Sequence, residues 1–189
     1  KRRVAVKVLL GAEAGENEVA RRHREAAIAA KLRHPNIVPI HEVGMAPDES
    51  GKPMHFIAME YVEGRTFADV VRDSGVPRAE RLRMLEEVAR AVAFAHSKGV
   101  VHRDLKPANV LVDGTGRVAL TDFGLARSDS FQTRLTADFS VVGTPRYMAP
   151  EQVEGRLDSV DARADLYALG VMLYEALVGR TPFEDSQGA

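Results

Sequence analysis

The chain has 189 residues, of which 45% are hydrophobic and 28% charged, and its formal net charge is −1. This balance excludes a disordered or fibrous chain and gives no indication of nucleic acid as a partner. The absence of cysteine excludes a disulfide framework and a cysteine-based metal site. The apolar runs of the sequence are too short to cross a membrane as helices, so we expect no membrane contact within this segment.

The first third of the chain predicts a small sheet with one helix. The sequence VAVKVLL at residues 4–10 is rich in β-branched residues and predicts a strand. Residues 18–32 predict an Ala-rich helix that is stopped by the His-Pro pair after it. Residues 36–43 and 55–59 predict two further strands, with the turn sequence MAPDESGKP between them.

The character of the sequence changes at residues 60–64, and the remainder is mostly helical. Apolar residues recur at three- and four-residue spacing in residues 79–97, which predicts a helix. Residues 161–178 predict an apolar helix that ends at Gly179. Residues 125–148 between these helices hold many Ser and Thr and show little periodicity. The order of elements predicts an α+β fold.

One loop concentrates polar side chains between two apolar runs. It lies in VVHRDLKPANVLV at residues 100–112, and the tripeptides DFG and APE follow at 122–124 and 149–151. Each tripeptide alone is a weak signal, whereas HRDLKPAN specifies many positions in a short segment. Phosphoryl transfer requires mainly positioning and charge neutralisation, and carboxylate, amide and ammonium groups supply both.

These motifs, in this order, resemble the signature of protein kinases: the catalytic loop, the metal-binding DFG and the APE that ends the activation segment. The sequences VAVK and HREAA, upstream, resemble the kinase strand lysine and helix glutamate. The sequences DLKPAN and GTPRYMAPE resemble serine/threonine rather than tyrosine kinases. The Ala-rich composition and the sequence APEQ resemble bacterial Hanks-type kinases most. The resemblance runs from Lys7 to about Phe183.

The resemblance implies an incomplete, two-lobed protein-kinase-like fold. Residues 1–63 would form the N-terminal lobe, a small antiparallel sheet with one helix, and residues 64–189 the larger, mostly helical C-terminal lobe. No G-x-G-x-x-G sequence precedes VAVK. We expect the phosphate-covering loop, the first strands and the last helices to belong to a longer parent protein, and the isolated segment to be inactive.

The resemblance also implies ATP and Mg²⁺ as cofactors and assigns the catalytic roles. Asp104 would orient the substrate hydroxyl, and Lys106 would contact the transferred phosphoryl group as a point charge. Asn109 and Asp122 would supply the amide and carboxylate oxygens that Mg²⁺ prefers.

Two further groups of residues would bind the nucleotide. Lys7 would contact its phosphates and would be held there by Glu25, although a solvated lysine and a local ion pair of Glu25 are the simpler interpretations. The adenine ring would lie against the hinge between the two lobes, at residues 60–64, and between two apolar faces. Core packing explains each apolar side chain equally well. These adenine-binding residues are Ala5, Met59, Glu60, Val62 and Leu111.

Regulation is predicted from Arg103, whose guanidinium beside Asp104 suits pairing with a phosphate group. Thr136 is the first candidate for phosphorylation in the activation segment, and Thr133 is the second. Asp138 places a fixed negative charge beside them that would partly substitute for a phosphate.

Two residues are expected to have structural roles. Asp165 would bind the backbone of the catalytic loop, although a favourable charge at a helix N-terminus explains it equally well. His102 would belong to the internal packing of the fold.

The leading hypothesis is an ATP-dependent serine/threonine protein kinase with protein substrates. The alternatives are a pseudokinase scaffold and a kinase-like phosphotransferase that acts on small molecules. We expect a cytoplasmic location for this segment. The sequence leaves open whether the parent protein is anchored in a membrane, and it does not define the oligomeric state.

Overall fold

The first part of the chain forms a three-stranded antiparallel sheet. The computed structural model describes residues 3–9, 26–123, 145–156 and 159–182. The strands are β1 (Val4–Leu9), β2 (Ile40–Pro47) and β3 (Pro53–Glu60), in the order β1-β3-β2. Every pairing is antiparallel, and β3 lies in the middle. The prediction of a small antiparallel sheet in this part of the chain is confirmed.

The end of the predicted helix at 18–32 is the only part of it that the structure describes. Residues 26–29 are helical, and a turn follows at 30–31. Ala26 is fully buried in a cluster with Ile57 and Met59 of β3. The small alanine side chain lets the helix approach the sheet closely, as the Ala-rich face predicts.

The second part of the chain combines a small sheet with the helices. Helices predominate in this part and follow the sheet of the first part, which confirms the α+β prediction. None of the described helices is long and apolar enough to cross a membrane. The elements are β4 (Gly64–Thr66), α1 (Phe67–Arg72), α2 (Arg78–Ser97), β5 (Val110–Asp113), β6 (Val118–Leu120), α3 (Pro150–Val153) and α4 (Ala162–Val178), with short 3-10 turns at Pro107–Asn109 and Pro145–Tyr147.

Helices α2 and α4 form the centre of the larger core. The apolar stripe of α2 is buried against α4 and β6, and Val88 in its middle is completely inaccessible. The helix ends before Gly99, whose φ of 73° is a conformation that glycine adopts without strain. This core is the support on which the loop after α2 rests.

Backbone hydrogen bonds join the first part of the chain to the second. Val38 N donates to Leu120 O at 2.9 Å, and Leu120 N donates to Asn36 O at 2.8 Å. The side-chain amide of Asn36 also donates to Val118 O and to Glu87. These bonds fix the segment before β2 on β6, and β6 leads directly to the DFG sequence.

We expect the substitution Gly64→Ala to destabilise the protein. A Cβ at Gly64 would overlap the carbonyl oxygen of Val112 and lie 2.8 Å from the Cα of Asp113. Strand β4 would have to move away from β5, which costs roughly 1–3 kcal/mol, and the thermal midpoint of the parent protein should fall by several degrees. Gly114→Ala is the matched control, since a Cβ there meets none of the described atoms within 4 Å. Equal midpoints for the two variants would contradict this packing argument.

Candidate active site

The loop after α2 is anchored by a buried histidine. His102 is fully buried, and its ring lies against Phe123 with centroids 4.7 Å apart. Its Nε2 donates to the carbonyl oxygen of Thr121 at 2.9 Å, and its Nδ1 accepts from Asp104 N at 3.3 Å. These two bonds select the neutral tautomer with the proton on Nε2. The expectation that His102 packs inside the fold is confirmed.

Burial lowers the pKa of His102 below its usual value, although the negative charge of Asp165 acts in the opposite direction. As the pH falls below about 6.5, the unfolded chain therefore binds a proton that the folded protein does not, and the free energy of unfolding should decrease. We expect the thermal midpoint to fall between about pH 7 and pH 5.5, and to fall less steeply in His102→Gln. An NMR titration of the ring is the second measurement. Identical slopes, together with an imidazolium signal near pH 6.5 in the folded protein, would contradict this prediction.

Asp104 is held by the two residues that the sequence analysis groups with it. Lys106 Nζ donates to both carboxylate oxygens of Asp104, at 2.9 and 2.7 Å. Asn109 Nδ2 donates to the backbone oxygen of Asp104 at 2.7 Å and to its Oδ2 at 3.1 Å. The side chains of Asp104 and Lys106 remain 29% and 30% exposed. The carboxylate is thus fixed in orientation and still accessible to a substrate.

Lys7 and Asp122 meet across the two parts of the chain. Lys7 Nζ in β1 lies 2.9 Å from Asp122 Oδ2, just after β6, and the side chains are 41% and 24% exposed. Asp122 has a φ of 68° and Arg103 has a φ of 67°. Such values are uncommon for residues other than glycine, and strained backbone of this kind often occurs at active sites. Both strained residues lie in the two motifs that the sequence analysis singles out.

The oxygen atoms present fit a hard divalent cation. Asn109 uses its amide nitrogen on Asp104, which leaves its side-chain oxygen as the atom that could bind a cation. Asp122 adds a carboxylate. Mg²⁺ commonly binds one or two protein oxygens and takes its other ligands from phosphate groups and water. Within the described ranges, no group of three or more His, Cys, Asp or Glu residues could hold a metal ion.

The residues predicted to bind adenine lie on β1, β3, β5 and the segment after β3. Ala5 pairs with Met59 across the β1–β3 ladder, and Val62 packs on the same buried cluster. Leu111 in β5 is partly buried. Met59 is only 8% exposed and its sulfur accepts a hydrogen bond from Thr121 at 3.5 Å, so core packing accounts for it without a ligand.

Glu60, the first residue of the predicted hinge, makes contacts through its backbone and through its side chain. Its N–H donates to Pro39 O at 2.9 Å, and its carboxylate pairs with Arg117 at 3.0 Å. The contact of Glu60 with an adenine ring therefore stays a prediction. Several other predicted residues, namely Glu25, Thr133, Thr136 and Asp138, lie outside the described residues.

Asp165 binds the backbone of the catalytic loop, as expected. It is 1% exposed. Its Oδ2 accepts from His102 N at 2.8 Å and from His96 Nε2 at 2.7 Å, and its Oδ1 accepts from Arg103 N at 2.8 Å. The residue also lies in the first turn of α4. The hydrogen bonds show that a favourable helix-end charge is not its only role.

Gln152 makes a connection that the sequence analysis misses. This buried residue donates from Nε2 to Arg103 O at 2.7 Å and accepts at Oε1 from Ala149 N at 3.1 Å. It therefore ties the APE segment to the residue before Asp104. The sequence signal is the Q of APEQ, but both partners of the amide are backbone atoms, which side-chain patterns do not reveal.

The structure places a strand lysine on the DFG aspartate and a second lysine on the aspartate of the loop after α2, an arrangement that fits a protein-kinase-like fold. Residues 1–189 match the model of the protein kinase domain, and the chain belongs to that family.

The curated relatives include bacterial enzymes. The chain is 43% identical over 184 residues to the serine/threonine-protein kinase PknB of Mycobacterium leprae, which covers 96% of this chain and 29% of the relative. It is 42% identical over 185 residues to the serine/threonine-protein kinase PrkC of Bacillus subtilis, which covers 97% of this chain and 27% of the relative. The resemblance to bacterial Hanks-type kinases is thereby confirmed. The chain spans less than a third of the length of these relatives.

Proposed function

We propose that the protein to which this chain belongs is an ATP-dependent serine/threonine protein kinase. The observation that carries the proposal is the carboxylate of Asp104, which is fixed by Lys106 and Asn109 yet remains accessible. Membership of the protein kinase family and the names of the bacterial relatives support the same reaction class. The protein substrates would carry Ser or Thr hydroxyl groups.

In the proposed reaction, the oxygen of the substrate hydroxyl attacks the γ-phosphorus of ATP, and the bond to the bridging oxygen of ADP breaks. ATP with Mg²⁺ supplies the phosphoryl group and neutralises part of its charge. Asp104 orients the hydroxyl and accepts its proton at a carboxylate oxygen. Lys106, beside it, contributes positive charge to the transferring group.

Four further residues would position the nucleotide and the cation. Asn109 and Asp122 provide the oxygen ligands for Mg²⁺. Lys7 provides a positive charge for the phosphates of ATP, and Glu25 would hold it in place. The pairing of Lys7 with Asp122 supports this proposal, because it brings the lysine of β1 and the aspartate after β6 within 2.9 Å of each other, as one shared nucleotide site requires.

The adenine ring would occupy the surroundings of the hinge. The residues that we propose to contact it are Ala5, Met59, Glu60, Val62 and Leu111. We also propose a cytoplasmic location for this segment, where ATP is available.

The test uses the full-length parent protein with γ-labelled ATP, Mg²⁺ and either protein or small-molecule acceptors. We expect phosphoserine or phosphothreonine in the protein acceptor by mass spectrometry, and none with the isosteric variant Asp122→Asn. ATP binding without transfer would replace the proposal by a scaffold role. Transfer to small molecules alone would replace it by a different phosphotransferase activity.

We propose in addition that phosphorylation of Thr136, or secondly of Thr133, orders the active state through Arg103. Phosphosite mapping of the parent protein, purified in active form, should find one of the two modified, and the inactive Asp104→Asn protein should lack the modification. An active wild-type protein with both threonines unmodified would rule out this mode of regulation.

A further inference from the structure

An arginine outside the catalytic motifs joins the end of β3 to the hairpin of β5 and β6. Arg117 Nη2 donates to Glu60 Oε1 at 3.0 Å. Glu60 is the last residue of β3, and Arg117 directly precedes β6. The backbone bonds of Leu120 already tie the end of β6 to the first part of the chain. The ion pair therefore adds a second connection between the two parts, at the beginning of β6.

The turn before β6 presents Arg117 from a fixed backbone. Asp113 Oδ1 accepts from Thr115 N at 2.9 Å, from Thr115 Oγ1 at 2.6 Å and from Arg117 N at 3.1 Å. Asp113 N in turn donates to Arg117 O at 3.1 Å. Both polar backbone groups of Arg117 are thus bound within the hairpin, and its side chain starts from a defined position.

The guanidinium group of Arg117 lies against protein atoms and does not extend freely into water. The side chains of Arg117 and Glu60 are 39% and 22% exposed. Arg117 Nε is inaccessible to solvent, and among the described residues it has no hydrogen-bond partner. A buried donor without a partner costs free energy. The side chain keeps its position in spite of this cost, which indicates that the packing of its stem and the bond to Glu60 fix it there.

The ion pair spans two of the groups that we propose to contact the adenine ring. Leu111 in β5 lies opposite Ala119 in β6, and Ala119 is only two residues after Arg117. Arg117 and Leu111 therefore belong to one hairpin. Glu60 lies on a different sheet, directly after Met59. The bond between Arg117 and Glu60 consequently restrains the separation of the hairpin from the hinge.

We propose that Arg117 is a positioning residue of the nucleotide site, which holds Glu60 and the hairpin of Leu111 at the separation that an adenine ring requires. It contacts no reacting atom and acts through the carboxylate of Glu60. A site whose parts are held in place before the ligand arrives binds more tightly than one that the ligand must order. Loss of the pair should therefore lower the affinity for ATP. This inference rests on the proposed kinase function and deepens it.

The test titrates the full-length parent protein with adenylyl imidodiphosphate, an ATP analogue that transfers no phosphoryl group, in the presence of Mg²⁺. Calorimetry should give a Kd about threefold higher in Arg117→Gln, which breaks a partly buried ion pair. Arg117→Lys should stay within about twofold of the wild type, because the observed bond uses a single nitrogen that an ammonium group can replace. In kinase assays with ATP, the KM for ATP should follow the same order, and kcat should change less than KM.

The partner variant Glu60→Gln separates positioning from a general charge effect. If the charge of Arg117 merely attracted the phosphates of ATP, removal of the negative charge of Glu60 would lower the Kd. We expect Glu60→Gln to raise the Kd, as Arg117→Gln does, and the double variant to add little to either, because both changes break the same bond. Arg90→Gln is the matched control, since Arg90 pairs with Glu86 within α2, and it should leave the Kd unchanged.

The outcomes distinguish this inference from the proposed function. An unchanged Kd in Arg117→Gln, or opposite shifts in Arg117→Gln and Glu60→Gln, would overturn the role of Arg117 and leave the kinase function intact. A wild-type protein that binds the analogue, with the expected order of variants, but transfers no phosphoryl group from ATP would overturn the kinase function and support the role of Arg117.

Discussion

Replacement of Asp104 by asparagine in the parent protein should lower kcat for phosphoryl transfer by roughly 10²- to 10⁴-fold, the usual contribution of a positioned acid–base group. Asparagine keeps the size of the side chain and one oxygen for the bond from Lys106, but it cannot accept the proton of the substrate hydroxyl. A filter-binding or coupled assay with saturating ATP measures the effect. The KM for ATP should change much less than kcat.

Two controls separate this loss from a folding defect. The thermal midpoint of Asp104→Asn should match the wild type, because Lys106 and Asn109 keep their partners. Asp48→Asn makes the same chemical change in the turn between β2 and β3, far from the catalytic loop in the sequence, and should retain wild-type activity. A kcat for Asp104→Asn within tenfold of the wild type would refute the role assigned to this carboxylate.

The substitution Asp165→Ala should have the largest effect on stability, about 3–5 kcal/mol, the usual cost of removing one partner from a buried charged network. It leaves the N–H groups of His102 and Arg103 and the Nε2 of His96 without their acceptor. The thermal midpoint of the parent protein should fall. In hydrogen exchange, the amides of residues 102 and 103 should lose protection, and kcat should fall with them.

Asp161→Ala provides the matched control on the same helix. Asp161 is the N-cap of α4 and accepts from Arg163 N at 2.8 Å, so its loss should cost about 0.5–2 kcal/mol. It should not change exchange at residues 102 and 103. If both variants lost stability equally and both amides stayed protected in Asp165→Ala, a simple helix-end charge would be the better account of Asp165.

The two long helices could be predicted closely because their signal is local. The apolar spacing predicts a helix at 79–97, and the observed helix begins one residue earlier, at Arg78. Helix α4, predicted at 161–178, begins one residue later, at Ala162. It ends at Val178 as predicted, before Gly179, whose φ is 83°. Each of these boundaries depends on residues within one or two turns.

The predicted start of strand β2 is too early, because the strand with which it pairs is distant in the sequence. The prediction at 36–43 begins before the observed strand Ile40–Pro47, since residues 36–38 bond to β6 instead of β3. The residues at the two ends of MAPDESGKP belong to strands β2 and β3 rather than to the turn, and Pro47 pairs with Pro53. Periodicity alone does not identify which strand a segment will join.

Helix α1 was missed, although the sequence carries a signal for it. Thr66 and Asp69 form a reciprocal capping box, in which each side chain bonds to the backbone of the other residue. The motifs assign Lys7 and Asp122 to one site for ATP and Mg²⁺, and in the structure the two side chains are in contact. The positive φ angles of Arg103 and Asp122 could not be predicted, since neither residue type requires them.

The peptide group between Arg103 and Asp104 is clamped at both of its polar ends. Gln152 of α3 holds its carbonyl oxygen, and the ring of His102 holds its N–H. The N–H of Arg103, in the preceding peptide group, donates to Asp165 of α4. A change in the spacing of α3 and α4 would therefore alter the backbone on both sides of Arg103. The orientation of the Asp104 carboxylate therefore depends on the positions of α3 and α4 as well as on its own bonds to Lys106 and Asn109.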